Sequence, residues 1–297
     1  MSVSPNLRGI GAVLLATGAF VANDSCMKLA LADAPPFQVL IMRGVAACLW
    51  CLPILMISGF GRDLPKAFNR WVLLRTFCEV FAILCFILAL AKMPIADVTA
   101  IGQTSPLMVL LGTWLIWGDR IGTFRLFLIG LGITGAILVA QPGGAAASPF
   151  AILGFMCAVG AAGRDLATRK VPPDVPALIV TFSTLLIVML SALVCSLLFE
   201  TQVAPTARHA GLMLVAGFFL MCGHSLIFLA YRWAPARAVA PFNYAFLLWA
   251  GLSGYLVFNE VPNMLAAAGM LLILLAGLAV VLLEGRTRQG ERVAIQS

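Results

Sequence analysis

Ala89-Leu90-Ala91-Lys92-Met93-Pro94 has a counterpart 141 positions further on, Ala230-Tyr231-Arg232-Trp233-Ala234-Pro235, in which the first alanine and the proline coincide. The same offset brings Asp119 onto Glu260 at the end of the next apolar stretch. At the front of each half it brings Asp24 and Lys28 onto Asp165 and Arg169. One offset serving several separated places marks an internal repeat, with residues 1–145 as the first copy and 146–297 as the second.

Outward from these motifs the chain resolves into runs of about 20 apolar residues, the length a helix needs to cross a bilayer. The first copy holds Leu7–Leu31, Phe37–Ser58, Trp71–Ala91, Ala96–Trp117 and Thr123–Ala140. The second holds Pro149–Arg169, Pro176–Phe199, His209–Tyr231, Ala236–Phe258 and Asn263–Leu283. Pro35-Pro36, Gly59 with Gly61, Pro142-Gly143-Gly144 and Pro172-Pro173 mark the short turns between them. Five is an odd number, so the second copy must enter the membrane from the opposite side. The expected fold is an all-α polytopic membrane protein of ten helices in two inverted five-helix repeats, an arrangement typical of alternating-access carriers.

Composition agrees. Of 297 residues, 62% are hydrophobic and 10% charged, against about 25% charged in an ordinary soluble domain. The net charge of +7 does not point to nucleic acid, because the basic residues are strung along loops without interleaved aromatics. The first apolar run is longer than a signal-peptide core and is expected to stay in the mature chain. The eight cysteines, including Cys48 and Cys51, lie mostly in apolar segments and read as buried thiols. With the N-terminus inside, 15 of the 19 Lys and Arg residues fall on one side. Positive charge is retained on the cytoplasmic side, so both termini are expected in the cytoplasm and the chain in a bacterial-type inner membrane.

The motif pair, Ala96 and Asp97 after Pro94, the mid-helix Ser105-Pro106, Gly118-Asp119 and Asn259-Glu260 together resemble the drug/metabolite transporter superfamily, specifically its ten-helix EamA-type members. Within it the chain looks most like YddG-type exporters of aromatic and other neutral amino acids. Gly118-Asp119 stands where the family more often has Glu. The resemblance implies a substrate cavity facing inward from spans one, three, four, six, eight and nine.

Ionisable groups at membrane depth are functional candidates by default. In span one, Asn23 and Asp24 sit near Lys28, which is four residues from Asp24 and able to pair with it on one helix face. Asp165 and Arg169 repeat that spacing in span six. Arg164 has no charged mirror, since Asn23 occupies its place, and is expected to be free to grip an anionic group bidentately. Glu79 in span three has Arg75 one turn below it, as a gate or a structural pair. His224 in span eight is either a packing residue or a proton or substrate group. Arg43 in span two is expected to snorkel to the outer interface. Gln103, Asn243 and Tyr244 lie beside Pro106 and Pro241, which free backbone carbonyls and bend helices, so these prolines are candidate hinges. Phe20, Phe81, Phe246, Phe219, Phe242 and Trp249 are candidate walls of an apolar cavity.

These readings converge on a secondary transporter that exports amino acids or similar small metabolites, its partners being that solute and the bilayer, with a monomer expected. No cofactor, metal site or catalytic residue is expected. Two isolated histidines supply no catalytic constellation, which weighs against an intramembrane enzyme or lipid-handling protein. No G-x-x-x-x-G-K-[ST] loop is present for ATP hydrolysis. A proton-coupled drug or cation exporter using Asp24 or Glu79 is the alternative.

Overall fold

The computed structural model describes the backbone of residues 5–57, 59–118, 122–141 and 148–296, and the side chains of these except 60–62, 236–237 and 284–296. Asp119, Arg120 and the Pro142-Gly143-Gly144 turn lie outside the described residues. The helices are α1 (Pro5–Ala30), α2 (Pro36–Ile57), α3 (Arg70–Leu90), α4 (Ile95–Gly102), α5 (Ser105–Trp117), α6 (Thr123–Ala140), α7 (Ala151–Thr168), α8 (Ala177–Phe199), α9 (Ala207–Trp233), α10 (Ala236–Val239), α11 (Ala245–Phe258) and α12 (Met264–Gln296). Short 3-10 segments follow α2 (Phe60–Phe68) and α10 (Ala240–Tyr244).

Among the described residues, nine helical stretches are long and apolar enough to cross a membrane, with α4 and α5 counted as one. The remaining expected span, 236–258, crosses in pieces: α10, a 3-10 turn and the 14-residue α11. The fold is the expected ten-span, two-repeat arrangement.

The repeat is legible in local geometry. α4 gives way to α5 at Gln103 and Thr104, and position 103 mirrors Tyr244, where the 3-10 turn gives way to α11. The prolines at these breaks, Pro106 and Pro241, are not mirror partners, so the interruption belongs to the architecture and each proline accommodates it locally. Gly118 closes α5 with φ 70° and its mirror Asn259 closes α11 with φ 52°. Only glycine, and next asparagine, adopts that left-handed cap readily.

The halves are not side-by-side bundles. α1 packs chiefly on α9, α3 on α7, α12 on α6 and α2 on α8, every one of these pairs joining one repeat to the other. The α1·α9 and α3·α7 pairs exchange under the 141-residue offset, while α2·α8 and α6·α12 map onto themselves, as an inverted two-fold requires. Large apolar side chains such as Leu15, Phe77, Leu198 and Leu256 face outward, which suits hydrocarbon as solvent. With lipid outside, apolar burial contributes little drive between helices, and close backbone approach replaces it. A methyl group on Gly135 would stand 2.7 Å from the Gly269 carbonyl oxygen, so α6 and α12 touch backbone to backbone.

Gly269→Leu should therefore force α6 and α12 apart at about 1–3 kcal/mol, the usual cost of overpacking. The unfolding midpoint in detergent is expected to drop, whereas Gly130→Leu, at a site with nothing within 4 Å, leaves it in place. Equal midpoints for the two variants would contradict the contact.

Candidate functional site

A cavity of about 410 Å³ lies at membrane depth and takes its lining from both repeats. Its walls come from α1, α2, α3 and the α4–α5 joint of the first repeat, and from α7, α8, α9 and the joint before α11 of the second. Its volume falls within the roughly 300–1,000 Å³ of small-molecule pockets. Phe20, Phe86, Phe246, Leu185 and Leu220 supply apolar lining. The Phe20 ring meets His224 edge-on at 5.2 Å and stacks at 6.4 Å on Phe246.

Charge is arranged on two levels, named here from the face on which α1 starts and α12 ends. Toward that face, Arg164 donates from Nη1 to Glu79 Oε2 (2.9 Å) and from Nε to Asp165 Oδ1 (2.8 Å). Arg75 donates to Thr184 Oγ1 at 2.8 Å. On the distal level are Asn23, Asp24 and Arg43, with Arg43 about 10 Å along α2 from its start at 1.5 Å per residue. Asn23 Nδ2 donates to Asp24 Oδ1 at 2.9 Å. Arg43 is only 5% exposed, lines the cavity and has no hydrogen-bond partner for its Nε.

Of the residues singled out in the sequence, the cavity brings together Phe20, Asn23, Asp24, Glu79, Gln103, Arg164, His224, Asn243 and Phe246. Asp165 stands behind Arg164 as its second anion. Tyr244 is buried against α12, where its hydroxyl meets the space beside Gly277. Phe81 lies outside the cavity, partly exposed and against Gly160 of α7. Phe219, Phe242 and Trp249 are also outside its lining; the Trp249 indole donates to the Leu14 carbonyl.

Several expected pairings are replaced, two of them by contacts between repeats. Lys28 leaves Asp24 and reaches Glu260 Oε1 (2.5 Å) and the Met93 carbonyl (2.7 Å), because the second repeat places an acid nearer than its own helix does. Glu79 takes Arg164 instead of Arg75, and Asp165 takes Arg164 instead of Arg169. Arg164 is thus doubly neutralised and not free for a ligand. Arg43 does not snorkel: interhelical packing encloses it. Spacing along one helix shows only the partners on that helix, and here the neighbouring repeat supplies better ones. Arg43 and the α8 residues Thr184 and Val188 were missed as lining because their spans carry no mirrored polar motif; the sole signal was a charge at membrane depth.

The distal face is stitched across the repeats. Glu260 also accepts from Ile95 N at 3.0 Å. The Glu200 carboxylate accepts from Phe37 N and Gln38 N at 2.7 and 3.1 Å, filling the donors left open at the start of α2. His209 Nδ1 accepts from Thr206 N, which leaves Nε2 to donate to Asp33 Oδ1 at 2.8 Å. That hydrogen bond, with His209 and Arg208 nearby, holds the Asp33 carboxyl below the usual carboxylate range.

The profile of the EamA-like transporter family matches residues 7–141 and again 148–283. A pseudopaline exporter of Pseudomonas aeruginosa is 28% identical over 284 residues, covering 95% of this chain and 97% of that protein. A riboflavin transporter of Rhizobium johnstonii is 28% identical over 299 residues, covering 96% and 95%. An S-adenosylmethionine uptake transporter of Rickettsia bellii is 24% identical, covering 93% and 94%. A crystal structure superposes with a TM-score of 0.63 at 20% identity, covering 95% of this chain and 98% of the other, a likeness of fold.

Glu79→Gln should destabilise the protein by about 1–3 kcal/mol, the cost of a buried group short of a partner, since it strips the shared acid from Arg164 and leaves Asp165 alone to balance it. The double variant Glu79→Gln/Arg164→Gln is expected to recover part of that loss. Strictly additive losses in detergent unfolding would show the pair to be uncoupled.

Proposed function

We propose that this chain, which belongs to the EamA-like transporter family, exports small zwitterionic metabolites across a bacterial inner membrane by alternating access. Amino acids, aromatic and other neutral ones foremost, and their derivatives are the favoured cargo. The observation that carries this reading is the balance of charge around the cavity. Asp24 and Glu79 in the lining, with Asp165 paired to Arg164 outside it, stand against Arg43, Arg75 and Arg164. A zwitterion adds no net charge to such a set, finds both signs within it, and can rest its side chain on Phe20 and Phe246. A lone organic cation would lack a net negative host, which weighs against a proton-coupled drug or cation exporter.

The family and the relatives' named cargoes support an organic metabolite carried by a transporter rather than an enzyme's substrate. Export is supported by the pseudopaline exporter among the relatives. The distribution of positive charge supports cytoplasmic termini. The repeats 1–145 and 146–297 cannot rock as separate bodies, because their tightest packing is with each other. The moving bodies are mixed: α1, α9 and α11 on one side, and α3, α5 and α7 on the other, exchanged by the two-fold. Asn23, Asp24, Gln103 and Asn243 face the solute between them, while the helix breaks at Pro106 and Pro241 absorb the bend.

Purified protein in liposomes preloaded with unlabelled solute should accumulate labelled neutral amino acid in a counterflow assay, and labelled sugar or tetraphenylphosphonium should stay at background. Accumulation of sugar or cation with no amino acid moved would overturn the reading.

A further inference from the structure

Arg43 is the arginine of this cavity whose hydrogen bonds are left unmade. Arg164 is engaged by Glu79 and Asp165, and Arg75 by Thr184. Arg43 is nearly as inaccessible as a core residue, yet it lines the cavity and its Nε has no partner. Asp24 and Glu79 lie within electrostatic reach but form no direct ion pair with it, Asp24 accepting instead from Asn23 and Glu79 from Arg164. Beside them the Asn23 Oδ1 is buried and also unpartnered. The distal level therefore offers an unfilled cationic fork next to unfilled acceptors. A guanidinium fork matches a carboxylate in two parallel hydrogen bonds, and a carboxylate with an amide oxygen suits an ammonium.

From this we infer that Arg43 is the residue that selects the substrate by its carboxylate, with Asn23 and Asp24 taking the amine beside it. The inference rests on the carrier reading above and narrows it to solutes that hold an α-amino acid head. It moves recognition away from Arg164, which is spent on internal pairing. It also places the head group on the distal level, with the solute's side chain against Phe20 and Phe246 at the apolar wall.

The test is competition in the same counterflow assay, with full-length protein in liposomes. L-phenylalanine, phenethylamine and 3-phenylpropionate differ only in the head group, and leucine and methionine supply parallel series. Wild-type protein is expected to prefer each amino acid over its decarboxylated or deaminated analogue by about tenfold or more, the scale of one lost charge-assisted hydrogen bond. In Arg43→Gln the preference for phenylalanine over phenethylamine should vanish, while Arg43→Lys, keeping the charge without the fork, falls between. If wild type takes phenethylamine as readily as phenylalanine, or if Arg43→Gln keeps the preference, the assignment of Arg43 is overturned while the carrier reading stands. If no amino acid exchanges at all, the carrier reading falls and takes this inference with it. The wild-type comparison needs no variant to fold. A merely structural Arg43 would lower the unfolding midpoint of Arg43→Gln without moving the preference.

Discussion

A charge held at membrane depth has few ways to be satisfied, since neither water nor lipid is on hand to solvate it. In this protein the solution is drawn from the opposite repeat. Lys28 of α1 is met by Glu260 beyond α11, and Glu79 of α3 by Arg164 of α7. Each pairing discharges a cost that would otherwise fall on one helix and fastens the two copies in one register. The same requirement makes Arg43 conspicuous. A guanidinium so thoroughly enclosed, with its Nε unpartnered beside a polar cavity, is what carries the proposal that an anion from outside the protein completes it.

Because compensation crosses between the copies, so does packing. α1 lies along α9 and α3 along α7, and these two pairs are images of each other. An inverted repeat built this way cannot open by parting its sequence halves. In the proposed alternating access, opening separates mixed bundles whose contact surface runs through the cavity, leaving the self-paired contacts α6·α12 and α2·α8 as the shared frame. The backbone contact at Gly135 and Gly269 suits that role, since small residues permit close, sequence-specific packing where hydrophobic drive is weak. The mirrored breaks near Gln103 and Tyr244 fall where such a motion must bend a helix.

The cavity adds neutrality to this frame. Acids and arginines in and behind its lining balance, so the proposed zwitterionic solute would leave no net charge in a low-dielectric space. Relatives with different named cargoes share the fold, which puts substrate choice in the lining side chains and not in the helices that present them.

Much was determined by the sequence by itself. Apolar runs of bilayer length and the 141-residue offset establish ten spans in two inverted copies, because hydrocarbon demands long apolar helices and an odd number of crossings inverts the second copy. Most polar residues that reach the cavity were legible too, since a costly group at membrane depth needs an inward reason to be there. Tertiary structure decided the partners. Lys28 and Glu79 each had a plausible mate on their own helix and took one from the other repeat, while Asp165 took its neighbour Arg164 in place of Arg169. Arg43 looked like an interfacial snorkeler until neighbouring helices enclosed it. Tyr244 and Phe81 looked like cavity walls until the rotation of their helices turned them away. Spacing along a chain encodes which residues share a helix face; which face meets which neighbour depends on helix rotation and on packing between segments far apart in sequence.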